Sequence, residues 1–63
     1  MKKIMCFKFA VTTTKKMSTI RSPYFVKASS DKDAYMKLIF DIYESLEEYE
    51  VLDRIEFITV HDL

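Results

Sequence analysis

The sequence predicts an α+β fold: a single ββαβ domain, with a three-stranded antiparallel sheet in the order 2-1-3 and one helix packed on one face. Three observations carry this expectation. Apolar residues dominate both alternating sets between Ile4 and Val11, and a Thr- and Ser-rich basic stretch separates them from a second β-favouring run at Tyr24, Phe25 and Val26. An amphipathic stretch then follows Ser30 and precedes a third strand-like run, Arg54 to Val60.

Each element has a local reason. Met5, Phe7, Phe9 and Val11 alternate with Ile4, Cys6, Lys8 and Ala10, the period of a strand, and apolarity on both faces places that strand in the middle of a sheet. The second run ends at Lys27, and Pro23, which has no backbone donor, makes it an edge strand. Ser30 is a good N-cap, Asp33 three residues later completes an approximate capping box, and Asp31 adds favourable charge to the first turn. From there Tyr35, Ile39, Ile42, Leu46 and Tyr49 recur in steps of four and three, with Leu38 on one side, so the helix is expected to fade near Tyr49. A right-handed crossover from the second strand to the third leaves the first strand central. A helix of about 18 residues is roughly 27 Å long, and the hairpin arms exceed it. The stretch of about residues 12–22 is therefore expected to project beyond the helix as a basic β-ribbon.

One domain is all that 63 residues allow, because a chain of this size buries only about 60% of the surface its unfolded form exposes. The only cysteine, Cys6, excludes an intrachain disulfide, and one cysteine with one histidine, His61, cannot build a structural zinc site. With 49% hydrophobic residues and nine aromatics the chain is too apolar to be disordered. The opening MKKIMCFKFAV resembles a secretory signal only briefly, since Lys8 interrupts its apolar run, no small-residue cleavage site follows, and no hydrophobic segment precedes Cys6. A cytoplasmic location is expected, and no apolar run approaches the roughly 20 residues that span a bilayer.

Charge is segregated along the chain. Residues 1–27 carry seven basic residues and no acid, whereas residues 28–63 carry three basic residues against all ten acids, so a formal net charge of zero conceals +7 followed by −7. Small size, split charge and the lack of a catalytic set are what is expected of an accessory or phage-type regulator, an expectation that no family motif carries.

Four surfaces exceed what the fold needs. If Phe7, Phe9, Val11, Ile55 and Phe57 face the helix, then Ile4, Cys6, Ala10, Ile58 and Val60, with Phe25, face outward as an open apolar sheet face; curled edges would instead scatter them. Met36, Phe40 and Tyr43 lie on the helix shoulder, where they either cover the sheet edge or form a contact surface. Glu44, Glu47, Glu48 and Glu50 sit where the helix macrodipole disfavours anions. Either Lys15, Lys16 or Arg21 of the same chain compensates them, or they face a basic partner surface. Those three cations, with neighbouring Thr and Ser, form the fourth surface.

No catalytic constellation is visible, and none of these residues is assigned a catalytic, cofactor-binding or metal-binding role. His61 stands near the chain end, nothing close in sequence activates Cys6, and a chain without glycine lacks the usual phosphate cradle. The expectation is a non-enzyme that needs no cofactor, takes no small-molecule substrate and binds no membrane. It is a stoichiometric inhibitor or regulator that docks on a larger protein or on itself as a homodimer. The alternative is a dimeric nucleic-acid-binding protein that inserts the ribbon of residues 12–22 into a groove. Repulsion between phosphate and the acidic half, and the small number of clustered cations, count against it.

Overall fold

The computed structural model describes residues 3–63, so Met1 and Lys2, with the first cation of the basic half, lie outside it. The elements run β1 (Met5–Lys15), β2 (Ser18–Ala28), α1 (Asp31–Ser45) and β3 (Glu50–Asp62), and the sheet order is β2-β1-β3 with both pairings antiparallel. This is the expected ββαβ arrangement. The central place of β1 follows from its composition: Phe7, Phe9, Ala10 and Val11 are all buried, and only a strand flanked on both sides shields such a run.

The core lies between α1 and the β1–β2 half of the sheet. Phe7, Phe9, Val11, Val26 and Ala28 meet Ala34, Leu38 and Ile42 of the helix. Ala34 has only a methyl group, so the first turns of α1 can lie close against the sheet. The helix stripe is thus centred on Leu38 and not on Ile39. Tyr35 and Ile39, expected to face the sheet squarely, are each about two-fifths exposed on the flank toward β3, and Tyr49 is outside the helix and exposed. The reason is lateral: α1 packs against β2, and β3 joins the core only through the partly buried Leu52 and Ile55. Tyr35 reaches the core only by its ring, 5.0 Å from that of Phe9.

Both ends of α1 are fixed by hydrogen bonds. Ser30 Oγ accepts the Asp33 N–H at 3.2 Å, as its N-cap position requires. The C-terminus comes earlier than the periodicity indicates: Leu46 is extended and donates its N–H to Ile42 O at 2.9 Å, so the helix stops at Ser45. Tyr49 then adopts φ 70°, which turns the chain into β3. The third strand therefore starts at Glu50, four residues before the expected Arg54.

That early start changes the ribbon. The hairpin does extend past the helix, since 15 helical residues cover about 22 Å and 11 strand residues about 36 Å. It is not two-stranded, however, because β3 accompanies β1 to its tip, where Lys15 is paired with both Ser18 and Glu50. The result is a three-stranded blade, and the molecule measures 45 × 18 × 14 Å. At its tip the two-residue turn Lys16–Met17 has φ of 48° and 68°, the left-handed pair that suits a twisted hairpin, here without glycine.

Candidate protein-docking surface

The outer side of α1 is the least satisfied apolar surface. At 100° per residue Met36, Phe40 and Tyr43 point away from Leu38, and they are 61%, 68% and 62% exposed. Ile39, 42% exposed, joins them, and together with Glu44 they line an open depression of about 470 Å³. The spacing 36, 40, 43 is that of a packing seam, so α1 carries one apolar stripe for its own sheet and a second with nothing on it among the described residues. Sequence reasoning found Met36, Phe40 and Tyr43 but assigned Ile39 to the core. Its position three residues after Met36 was the available signal.

The acidic cluster divides. Glu44 is on the last turn of α1, whereas Glu47 and Glu48 lie in the connection and Glu50 opens β3, so three of the four are not on the helix. Glu50 serves the fold, since its carboxylate accepts the Thr13 hydroxyl at 2.7 Å and the Glu47 N–H at 2.9 Å. Glu47 is ion-paired with Lys15 of the ribbon. Compensation within the chain thus accounts for Glu47, while Glu44 and Glu48 form no ion pair among the described residues.

The basic ribbon is similarly engaged. Arg21 Nε is 3.4 Å from Glu56, which Arg54 also approaches at 3.9 Å, and Thr14 donates to Asp53. Lys16 alone of the three ribbon cations has no acidic partner among the described residues. The sheet face opposite α1 is therefore not a continuous apolar patch. Thr12 lies between Arg21 and Arg54 in register, and Lys8 Nζ stands 5.8 Å from the centre of the exposed Phe25 ring. Cys6 and Ala10 share that face, Cys6 half-buried and Ala10 buried, while Ile4 precedes β1 and is half-exposed. Val60 is a correction. It pairs with Phe7 and so shares the helix side of the sheet, because a β-bulge between Lys8 and Phe9 leaves Ile58 as the extra residue and reverses the alternation expected from Ile58 to Val60.

The sheet edges offer little. Pro23 interrupts the donors of β2, and β3 carries two bulges, devices that blunt pairing with another strand. Among the described residues no group of three or more His, Cys, Asp and Glu side chains is arranged to hold a metal ion, and no helix is long and apolar enough to cross a membrane. The chain matches no family model, no curated protein and no solved structure.

Proposed function

We propose that the chain is a non-catalytic protein-binding module, acting stoichiometrically in the manner of an inhibitor or regulator, with the outer face of α1 as its docking surface. The observation that carries this reading is the exposure of Met36, Phe40 and Tyr43 on one side of a helix whose other side already holds the core. Aromatic and Met side chains supply much of the energy of protein interfaces, and four apolar side chains clustered in one depression are costly to leave in water. Nucleic-acid reading is disfavoured, because the ribbon is backed by a third strand and Lys15 and Arg21 are spent on acids of the same chain.

The test is site-specific photo-cross-linking in the producing cell. A photoreactive phenylalanine analogue at Tyr43 is expected to give a discrete protein adduct, and the same probe at Thr19 on the ribbon tip none. Nucleic-acid adducts at Thr19, with no protein adduct at Tyr43, would overturn the reading.

A further inference from the structure

We infer that the occupant of the outer face of α1 is a second copy of this chain, packed helix against helix in antiparallel orientation about a two-fold axis at Phe40. The inference rests on the reading of α1 as a docking surface and names what covers it. The charges around the stripe select this arrangement. Lys37 Nζ reaches the Lys27 carbonyl at 2.9 Å on the β2 flank of α1 and has no acidic partner among the described residues, and Glu44 forms no ion pair there either. Lys37 and Glu44 flank Phe40 at three residues before and four after. A two-fold at Phe40 sets Phe40 against its own counterpart and brings Lys37 to Glu44 of the other copy, and does so twice. A parallel pairing would instead align each lysine with itself.

The helix dipole points the same way. Glu44 lies in the last turn of α1, which holds no basic residue, so the carbonyl end of the helix and an anion repel each other within one chain. In the antiparallel pair Glu44 gains Lys37 of the other copy, the cation that its own helix end lacks. Packing supplies the remaining support: Met36, Ile39, Phe40 and Tyr43 recur at the spacing by which antiparallel helices interlock, both sheet edges are blunted, and a domain with so thin a core gains most from a shared apolar interface.

The experiment is light scattering on the full chain after size exclusion, over a range of concentrations, with circular dichroism to verify folding. The wild type is expected at twice the 7.5 kDa of one chain, and Phe40→Glu at the single-chain mass with its circular dichroism unchanged. Lys37→Glu and Glu44→Lys should each weaken the dimer by about tenfold, the scale of two exposed ion pairs reversed together. The double variant Lys37→Glu with Glu44→Lys should restore it. A wild type that is monomeric at every concentration overturns the inference, and a Tyr43 adduct would then still report docking on a different protein. A dimer that survives Phe40→Glu, or a double variant weaker than either single one, overturns it as well.

Discussion

The carboxylate of Glu50 accepts the hydroxyl of Thr13 at 2.7 Å while its other oxygen accepts the backbone N–H of Glu47 at 2.9 Å. This one side chain ties the α1–β3 connection to the central strand. It also holds Glu47 where Lys15 can reach it, so the tip of the blade is buckled by an acid that in sequence looks like a spare charge on a helix.

Glu50→Ala is accordingly expected to destabilise the fold by about 1–2 kcal/mol, below the upper range for hydrogen bonds to a charged group because the site is only part-buried. Urea unfolding would read it as a lower midpoint with an unchanged slope. Lys15→Met, which removes an exposed ion pair, should cost less than about 1 kcal/mol, and its effect should fade at high salt.

The hairpin turn stores strain that substitution can release. Lys16 and Met17 both occupy left-handed backbone that costs a side-chain-bearing residue about 1–2 kcal/mol, and Met17 is 99% exposed with nothing to gain by contact. Met17→Gly, preferably with Lys16→Asn, should raise stability by about 1 kcal/mol, since Asn-Gly is the pair that this turn geometry favours. A reduced midpoint of thermal unfolding would show that the turn does not have this geometry.

Moving the buried stripe from Ile39 to Leu38 has a measurable consequence. Leu38 is fully buried among the core side chains, so Leu38→Ala should cost about 2–5 kcal/mol, a large part of the stability of any small domain. Ile39→Ala should cost well under half of that in the isolated chain. Equal losses at the two positions would place the helix axis over the middle of the sheet.

The elements that could be read in the sequence are those whose signals are local. Ser30 caps a helix because its hydroxyl satisfies an N–H three residues on, and β1 is central because Phe7, Phe9 and Val11 share one face with Ala10 buried on the other. What was illegible depends on geometry that side chains do not announce. Tyr49 takes a left-handed conformation without being Gly or Asn, so neither the end of α1 nor the start of β3 at Glu50 has a sequence marker. The bulge at Ile58 likewise lacks a glycine, and a one-residue shift carries Val60 to the other side of the sheet. Of the surfaces, Met36, Phe40 and Tyr43 could be found because they are left over from the core stripe. The pairing of Lys15 with Glu47 needed the third strand in place first.

Glu44 separates the needs of the fold from those of docking. Its charge opposes the carbonyl end of α1, so Glu44→Lys should stabilise the single chain by about 0.3–1 kcal/mol, an effect that salt reduces. The same substitution puts a cation at the rim of the apolar depression, where the proposed dimer would bring Lys37 of the opposing copy, and should weaken association by about tenfold. Thermal unfolding of dilute protein, where single chains dominate, and the dimer dissociation constant would therefore report opposite effects, a more stable chain and a weaker dimer. An acid that the helix would be better without is then explained by the surface it serves. If both stability and association improve together, Glu44 has no part in the contact, and the docking face must be redrawn around Met36, Ile39, Phe40 and Tyr43 alone.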